Sequence, residues 1–600
     1  MSSLPVAAIN LPGSLKAFDP FDRLSAAVRH RHISRTVHWL FLISVLWLSA
    51  CASLPDQVDR PVSTALANPT QTRLGSVIAD RAKRAGTRND SGFALVGNAE
   101  LAFSSRMTLI KAAEKTLDLQ YYAIFSDKTT DRLFDALRDA AARGVRIRIL
   151  LDDFNTSGKN AQVLKLAFEK NMELRLFNPL PGGRSSLVLR IIANLDDVDR
   201  IQRRMHNKIF VADNALAITG GRNLGETYFG QSPGTNFVDI DVLAAGRIAR
   251  DLSRSFDAYW NNPLAYPVQS LMTAQEIEAL KPALANSKPG EPGEPADVAA
   301  ANNAVGIAAA ESLLPMPQAT APTSNDSTAD NAASTIAPLP DSTDLRLLKW
   351  TWAPSTLLVD KPGKIAADAD STEAAEDTTV DGLLQLMAHA KTSLLIVSPY
   401  FVPGERTMGQ FADLRKRGVR VRVLTNSLAS NDAPAAHVGY ARYRKALLEM
   451  GVELYEMRAE QKGTFRSFGS AAISTGSIGG STGGSGGEAG SSRASLHSKV
   501  AMVDDRLLVV GSMNLDLRSQ LQNSEVAVAI RSRAISVEAS RLIEPTMATG
   551  AYRVELENDQ LVWRAPQGSN LQDSTTEPDT SVMLRLAVKL LGPFAPDEML

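Results

Sequence analysis

The 600-residue chain contains a single cysteine, Cys51. An intramolecular disulfide is therefore impossible, and a zinc site built from several cysteines is excluded. Histidine is also scarce, with 7 in the chain, and only His206, His389, His437 and His497 follow Cys51. Two of these four belong to a repeated motif described below, which leaves little to bind a metal. We therefore expect neither a metal nor another cofactor.

The chain has no excess of either charge. It contains 64 Lys and Arg against 65 Asp and Glu, a formal net charge of −1. A protein that binds duplex DNA usually contains a strongly basic domain, so nucleic acid is not the expected partner, although a neutral total does not exclude a local basic cleft. With 44% hydrophobic and 22% charged residues, the chain can bury ordinary cores, and its length allows two or three domains.

Aromatic residues are missing between Tyr266 and Trp350. Much of this stretch is rich in Ala, Pro, Ser, Asn and Asp, so it offers too little apolar surface to offset the entropy of an unfolded chain. We therefore expect residues 266–345 to form a disordered linker between two domains. A tract rich in Gly and Ser, residues 469–492, predicts a flexible insertion in the second domain.

One short motif occurs twice and is the most informative feature of the sequence. Each copy has a histidine, a lysine two residues later and an aspartate seven residues later, followed by a glycine-containing turn that ends in asparagine. The matched residues are His206, Lys208, Asp213 and Asn223 in the first copy, and His497, Lys499, Asp504 and Asn514 in the second.

These residue types suit a site that grips a phosphodiester and attacks its phosphorus. Lysine supplies fixed positive charge and asparagine supplies amide donors, and stabilisation of developing charge is usually the largest contribution to catalysis. The first turn has Gly221 where the second has Ser512. Only the second copy therefore offers a hydroxyl group at this position, which we expect to contact phosphate.

The roles of the carboxylates are open. Asp213 and Asp504 are part of the motif, but each lies far along its strand from the histidine. Each therefore either acts with the histidine, braces the turn, or pairs with a basic residue. Glu226 and Glu525 follow the two turns. They are candidates to orient an imidazole, as a buried carboxylate does in a catalytic triad, or they form ordinary salt bridges. His437 is interpreted as a structural histidine, with a place in the cleft as the alternative.

The body of the chain is an internal duplication. KTLDLQYYAIF (115–125) matches KTSLLIVSPYF (391–401), and RGVRIRILL matches RGVRVRVLT. Each RGV ends an amphipathic helix, so its glycine is expected to take the left-handed helix cap, and the β-branched run that follows predicts a strand. Alternation of strands with helices predicts an α/β fold with parallel strands and helices on both faces. We assign the two domains to residues 81–265 and 346–545.

The duplicated motif resembles the signature of the phospholipase D superfamily. Within it, the chain is most similar to the bacterial cardiolipin synthases of the C type, on segments that include LDLQYY, RRMHNK, GGRNLGETYF and GVELYE. The resemblance implies two α-β-α lobes related by a pseudo-twofold axis, with the active site between them. It also implies that His206 attacks phosphorus to form a phosphohistidine and that His497 acts as the general acid, an order that the sequence does not fix.

The resemblance further implies a phosphatidyltransferase that makes cardiolipin. Its substrates would be phosphatidylglycerol and a second phospholipid, phosphatidylglycerol or phosphatidylethanolamine, and an accessory protein is a possible partner. Two alternatives are a phospholipase D-type phosphodiesterase, acting as a phospholipid hydrolase or an exported nuclease, and a non-catalytic lipid-binding scaffold.

The N-terminus resembles a targeting segment. Basic residues precede an apolar stretch, Val37 to Leu48, and small residues precede Cys51, which is typical of a lipoprotein signal. We expect residues 1–51 to be this signal, with Cys51 lipidated, or an uncleaved membrane anchor. Either interpretation places the protein in the bacterial cell envelope, facing the periplasm at a membrane surface. Residues 52–80 would be a tether, and the tail, 546–600, would pack on the body or lie on the membrane.

Overall fold

The computed structural model describes residues 53–87, 90–279, 338–366, 378–461 and 492–591. The predicted targeting segment with Cys51, most of the linker and almost all of the Gly/Ser insertion lie outside these residues. Within the described ranges, no helix is both long enough and apolar enough to cross a membrane. The described residues from Leu54 onward cluster as one compact unit.

Two nine-stranded sheets and one three-stranded sheet contain the strands. In chain order the strands are β1 Ser91–Val96, β2 Thr116–Tyr121, β3 Arg146–Asp152, β4 Met172–Phe177, β5 Ile209–Ala212, β6 Leu216–Gly220, β7 Thr235–Val238, β8 Asp241–Ala245, β9 Ala265–Pro267, β10 Thr351–Ala353, β11 Ser355–Val359, β12 Ser393–Val397, β13 Arg420–Asn426, β14 Glu453–Met457, β15 Glu460–Gln461, β16 Ser492–Leu496, β17 Val500–Val503, β18 Leu507–Gly511, β19 Val526–Arg531, β20 Ala551–Glu557 and β21 Gln560–Arg564.

Helices connect these strands. The α-helices are α1 Arg73–Arg84, α2 Ala99–Ala112, α3 Lys128–Ala142, α4 Leu187–Ala193, α5 Val198–Gln202, α6 Arg247–Trp260, α7 Ala274–Ala279, α8 Gly363–Ala366, α9 Thr379–Ala388, α10 Gly404–Lys416, α11 Pro434–Glu449, α12 Leu517–Leu521, α13 Arg533–Thr549 and α14 Val582–Leu591. Short 3-10 helices span Pro69–Gln71, Gly158–Phe168, Glu226–Phe229 and Val268–Ser270.

The two large sheets define two lobes and share one order of eight strands, from β1 to β9 in the first and from β11 to β20 in the second, with β10 and β21 as additional edge strands. The first runs β10-β1-β8-β6-β5-β2-β3-β4-β9 and the second runs β11-β19-β18-β17-β12-β13-β14-β20-β21. The duplicated sequence therefore folds twice into the same topology, and the predicted α/β class with two lobes is confirmed.

The expectation of parallel strands was only partly right. Strands β2, β3 and β4 are parallel, as are β12, β13 and β14, but β5, β6, β8 and their counterparts pair antiparallel. The reason is local: only three residues, Asp213 to Ala215, join β5 to β6, and so short a turn can only connect antiparallel strands. Each signature histidine stands just before the first strand of such a hairpin.

The glycine of each RGV ends a helix as predicted. Gly144 follows α3 with φ of 93°, and Gly418 follows α10 with φ of 80°. This left-handed conformation suits glycine because it has no Cβ. Strands β3 and β13 begin two residues later, so the helix–strand units that form each lobe follow from local sequence.

The boundary between the lobes differs from the prediction. Residues 351–353, which we assigned to the second domain, form β10 and pair antiparallel with β1 of the first sheet. β11 follows after Pro354 and pairs with β19 of the second sheet. The chain therefore crosses from one lobe to the other at Pro354. Sequence periodicity does not report this position, because both strands have similar composition.

Segments on both sides of the lobes are held to them. In the predicted tether, the backbone oxygen of Ser63 accepts a hydrogen bond from Arg148, and the amide of Ala65 donates to Asp257. In the predicted tail, β20 and β21 extend the second sheet beside β14. At least these parts belong to the folded body.

The lobes join through strands as well as side chains. β7 of the first lobe pairs in parallel with β16, which leads into the second signature. A shared hydrophobic core fills the space between the sheets, with Phe93, Val242, Val397, Val510 and Val528 among its buried members. The relative position of the two signatures is therefore fixed by backbone pairing and by a common core.

Candidate active site

Topology brings both signature histidines to one edge in each lobe. His206 immediately precedes β5, which runs antiparallel to β2, and His497 precedes β17, which runs antiparallel to β12. The start of an antiparallel neighbour lies beside the carboxyl end of a parallel strand, where loops carry functional groups in open α/β sheets. Each imidazole is therefore placed at the carboxyl edge of its own sheet.

Each histidine is fixed to the opposite lobe by its backbone. The amide of His206 donates to the carbonyl oxygen of Ser524 at 2.9 Å, and the amide of His497 donates to that of Val238, also at 2.9 Å. The two signatures thus cross between the lobes and meet at their interface. Lys208 and Lys499 each lower the pKa of both histidines.

A carboxylate from the opposite lobe binds each imidazole. Both oxygens of Glu525 lie 3.0 Å from Nδ1 of His206, and Oδ2 of Asp239 lies 2.8 Å from Nδ1 of His497. Both carboxylates are fully buried. A carboxylate on Nδ1 keeps the ring proton on that nitrogen and leaves the lone pair on Nε2.

Asp239 and Glu525 occupy equivalent positions in the two repeats. Asp241 and Ala527 pair with the last glycine of β6 and of β18, respectively. Asp239 and Glu525 each lie two residues before these partners. The pairing register, not the distance along the chain, therefore identifies the equivalent carboxylates.

This register corrects the expected role of Glu226. The structure does not place its side chain on a histidine: its backbone amide donates to Asp127, and its carboxylate is partly exposed. Glu226 lies on a short 3-10 helix that turns away before β7 begins. Glu525, by contrast, contacts His206 directly. Asp239 was missed because the sequence between turn and carboxylate is longer in the first repeat.

Gly221 and Ser512 differ because the two carboxylates approach the turns differently. A Cβ at Gly221 would collide with the carboxylate of Asp239. Ser512 instead donates its hydroxyl to Oε2 of Glu525 and accepts the amide of Val526 at 3.0 Å. The Ser512 hydroxyl, expected to contact phosphate, is therefore engaged with the carboxylate that holds His206.

The two lysines are buried and fold back on their own signatures. Nζ of Lys208 donates to the carbonyl oxygen of His206 at 2.8 Å, and Nζ of Lys499 donates to that of His497 at 2.6 Å. An ammonium group has three donors, so each lysine retains capacity to bind an anion.

Burial in the cleft disfavours the charged form of each of these titratable side chains. Burial, and then the two lysines, lower the pKa of both His206 and His497 well below the usual histidine value. Burial also lowers the pKa of Lys208 to about 7 and that of Lys499 to about 8. Burial raises the pKa of Glu525 to about 7 against the opposing charge of Lys208. A bound anion would reverse the shifts of the four cation-forming groups.

The two signature asparagines differ in their contacts. Oδ1 of Asn223 accepts the amide of Ala123 at 3.3 Å, and its Nδ2 donates to the hydroxyl of Tyr228 at 3.0 Å. Oδ1 of Asn514 is buried and has no hydrogen-bond partner among the described residues. Of the two asparagines, Asn514 is therefore the one whose buried side-chain oxygen lacks a hydrogen-bond partner among the described residues.

The structure places Asp213 and Asp504 away from the histidines, at the far ends of β5 and β17. Asp213 accepts the backbone amides of residues 114–116, and Asp504 accepts those of residues 391–393. Their φ angles are 52° and 53°, as the first central residue of a tight hairpin turn requires. The expectation that they act catalytically is therefore corrected: both hold the hairpin that carries the signature.

Two tyrosines that the motif analysis did not single out flank the imidazoles. The ring of Tyr122 meets that of His206 edge-on at 5.1 Å between centroids, and Tyr228 meets His497 in the same way at 5.2 Å. His437 lies elsewhere, buried against Glu577 and Arg444. Its position supports the structural interpretation. No group of three potential ligands is arranged around a metal position within the described ranges.

Comparison with known proteins relates the chain to one family. The family model "Cardiolipin synthase, PLD-like domain" matches residues 107–260 and 383–546. The chain is 32% identical to cardiolipin synthase C of Escherichia coli over 494 residues, which cover 82% of this chain and 92% of that protein. It is 29% identical to an uncharacterized protein of Helicobacter pylori over 557 residues, covering 91% and 97%.

Among solved structures, the chain is similar to a phosphatidylserine synthase of Haemophilus influenzae. The TM-score is 0.50 at 13% identity, and the match covers 87% of this chain and 98% of that chain. This similarity confirms the fold.

Proposed function

Because the chain belongs to the family of phospholipase D-like cardiolipin synthases, we propose that it is a phosphatidyltransferase that makes cardiolipin from phosphatidylglycerol and a second phospholipid. The observation that supports this most directly is the pair of imidazoles, each held by a buried carboxylate of the opposite lobe. Such a pair provides two groups of the same kind that can act in opposite protonation states on one phosphorus.

In the proposed reaction, Nε2 of His206 attacks phosphorus of the donor phospholipid. The bond between phosphorus and the headgroup oxygen breaks, and Nε2 of protonated His497 gives its proton to that oxygen. His497 then takes a proton from a glycerol hydroxyl of phosphatidylglycerol. The resulting oxygen attacks phosphorus, the bond between phosphorus and His206 breaks, and cardiolipin leaves.

Charge balance explains how the imidazoles come to differ. Near pH 7 the positive charge of the two lysines balances the negative charge of the two carboxylates, because Lys208 and Glu525 each have a pKa of about 7 and are ionised to a similar extent. Both imidazoles are neutral, so the empty site carries no net charge. A phosphodiester adds one negative charge, and a proton on one imidazole compensates it. Lys208 and Lys499 then contact the phosphoryl oxygens, where they stabilise the charge of the transition state.

The finer features of the proposal come from the sequence. The apolar segment that ends at Cys51 supports a lipid or membrane anchor that holds the enzyme in the cell envelope, facing the periplasm at the surface that contains its substrates. Phosphatidylethanolamine as the second substrate and an accessory protein follow the family resemblance.

Incubation of the purified full chain with vesicles of labelled phosphatidylglycerol, with and without phosphatidylethanolamine, tests the activity. Formation of cardiolipin is expected, and His206→Ala and His497→Ala should each abolish it while circular dichroism stays unchanged. Phosphatidic acid as the main product would replace the proposal with a hydrolase. Near-wild-type cardiolipin formation by either variant would refute the roles of the histidines.

Trapping of the intermediate tests the order of the two histidines. With donor lipid labelled at phosphorus, rapid quenching should leave label on the protein in a base-stable, acid-labile form. The His497→Ala variant should still acquire label, more slowly, because its nucleophile is intact. Label on His206→Ala, but not on His497→Ala, would reverse the assignment.

A further inference from the structure

Helix α4 in the first lobe is apolar on both faces. Its inner side chains, Leu187 and Ile191, pack against the cluster that contains Tyr122 and Phe154. Its outer face and the residue beyond it form a surface that we call the lobe-1 patch, whose members are each at least 53% exposed: Val188, Leu189, Ile192 and Leu195. Their spacing places them within one face of a helix.

Helix α14 in the second lobe shows the same arrangement. Its inner residue Val588 packs against Val402 and Val438 of the lobe. Its outer residues form the lobe-2 patch, whose members are each at least 48% exposed: Val582, Met583, Leu586 and Leu590. Isolated exposed apolar residues are common, but two clusters of four are unusual and point to a surface that is covered in use.

Each patch lies on the side of its lobe that carries the signature histidine. The helix of the lobe-1 patch packs through Leu187 and Ile191 on the cluster that contains Tyr122, whose ring contacts His206. The helix of the lobe-2 patch packs through Val588 on Val402 and Val438, which follow the carboxyl ends of β12 and β13. His497 precedes β17, which pairs with β12, and therefore lies at the same end of the sheet. One patch from each lobe therefore flanks the cleft.

The lobe-1 patch is rigidly mounted. Arg190 projects inward from α4 and forms a buried ion pair with Asp153 at the end of β3, and it donates to Ser157 at 2.9 Å. Arg184, just before the helix, pairs with the same carboxylate. The outer apolar side chains are therefore held in place by the scaffold that also forms the cleft.

We propose that the two patches are a bilayer-docking surface that inserts between phospholipid headgroups and presents the cleft to the membrane. The proposal rests on the proposed function, because a phosphatidyltransferase must reach diesters that lie in a bilayer. Charge complementarity supports an anionic lipid surface: α14 contains Arg585 and Lys589 and no acidic residue.

Tryptophan substitutions in the full chain test the contact directly. Leu189→Trp and Leu586→Trp would be mixed with vesicles of phosphatidylglycerol and phosphatidylethanolamine that contain acyl-brominated lipid. The added fluorescence of each variant over wild type should be quenched by more than half. Leu347→Trp is the matched control, because Leu347 is 84% exposed and belongs to neither patch, and its added fluorescence should not be quenched.

Quenching at Leu189→Trp and Leu586→Trp no greater than at Leu347→Trp would overturn the proposal, whatever the activity of the enzyme. Self-association that is lost in Leu189→Glu, found together with absent quenching, would show that a second copy covers the patch and would also overturn it. Quenching at both patches by an enzyme that turns over no phospholipid would support docking and refute the proposed function.

Turnover provides a second, independent readout. Leu189→Glu combined with Leu586→Glu should lower the rate on vesicles at least 10-fold by raising the apparent KM for lipid surface. The rate on monomeric short-chain phosphatidylglycerol should change less than 2-fold, because these side chains lie outside the cleft. An equal loss on both substrates would indicate damage to the fold and would contradict the proposal.

Discussion

The carboxylate of Glu525 holds Nδ1 of His206 with both oxygens at 3.0 Å, although 319 residues separate the two in sequence. Across the same interface, Asp239 of the first lobe holds His497 of the second lobe. Each lobe therefore supplies the carboxylate that orients the signature imidazole of the other.

Neutralising either carboxylate should impair catalysis severely. In Glu525→Gln and Asp239→Asn, the new amide no longer favours the imidazole tautomer that has its proton on Nδ1. Nε2 is then protonated for part of the time and lacks a free lone pair. The protonated imidazole is also less stabilised, because the neighbouring negative charge is gone. We expect kcat to fall by about 100-fold to 10,000-fold with little change in KM. Steady-state kinetics of cardiolipin formation measure this.

The matched control is Glu226→Gln, at a carboxylate near the first turn that does not contact a histidine. It should retain kcat within about 2-fold. A loss in Glu226→Gln as large as in Asp239→Asn would show that the register argument chose the wrong residue.

Binding of a phosphodiester should draw protons into the site. Burial lowers the pKa of His206 well below its usual value and lowers the pKa of Lys208 to about 7. A bound anion raises both, so the groups are more protonated in the complex than in the free enzyme. The affinity that this protonation supplies is present at low pH and is lost as pH rises through the pKa values of the complex.

At pH 7.5 we expect uptake of about one proton per bound phosphodiester, since one imidazole or lysine must compensate one negative charge. Calorimetric titration with a soluble diester in two buffers of different ionisation enthalpy gives this number. The Lys208→Met variant should take up fewer protons. Proton release on binding would contradict the charge balance proposed for the site.

Asp213 should matter for stability more than for chemistry. Its buried carboxylate accepts three backbone amides at the start of β2. Asp213→Ala leaves those amides without partners and removes a residue suited to a left-handed turn, so the free energy of unfolding should fall by about 1–3 kcal/mol. The exposed Asp413 provides the control Asp413→Ala, which should change stability by less than about 0.5 kcal/mol.

The two readouts separate the structural role from a catalytic one. Denaturant unfolding measures stability, and kcat normalised to the folded fraction measures chemistry. We expect the normalised kcat of Asp213→Ala to stay within about 3-fold of wild type, whereas a residue in the transition state would cost far more. A fall of 100-fold with unchanged stability would return Asp213 to the catalytic group.

Local sequence predicted the elements of the fold and the residues of the repeated motif. The β-branched runs became strands, Gly144 and Gly418 capped their helices, and the motif identified the histidines and lysines that meet in the cleft. These features depend on spacing within a few residues, which the sequence displays directly. Membership in the family was predicted correctly for the same reason.

Asp239 and the crossing at Pro354 were not predicted because both depend on strand pairing. The first repeat contains β7, which leaves its own sheet to pair with β16, so the distance from turn to carboxylate is longer than in the second repeat. A search for the first glutamate after each turn therefore finds Glu226 in the first repeat in place of Asp239. Only the register of β8 against β6 shows which carboxylate is equivalent to Glu525.

The asymmetry of the two turns leads to a further test. At Gly221 there is no space for a Cβ beside the carboxylate of Asp239. Gly221→Ala should therefore displace Asp239 from His497 and lower kcat at least 100-fold. At the equivalent position, Ser512→Ala removes one hydrogen bond to Glu525 but leaves Ser519 donating to the same carboxylate at 3.1 Å, so kcat should fall only about 3-fold to 10-fold.

A second substitution separates collision from general damage. Combining Gly221→Ala with Asp239→Gly removes the colliding carboxylate, so its kcat should resemble that of Asp239→Gly alone and the two effects should not add. Non-additivity is expected when one residue acts only through another. If Gly221→Ala instead lowered kcat by the same factor with and without Asp239, the glycine would act on the reaction by a route other than the orientation of His497.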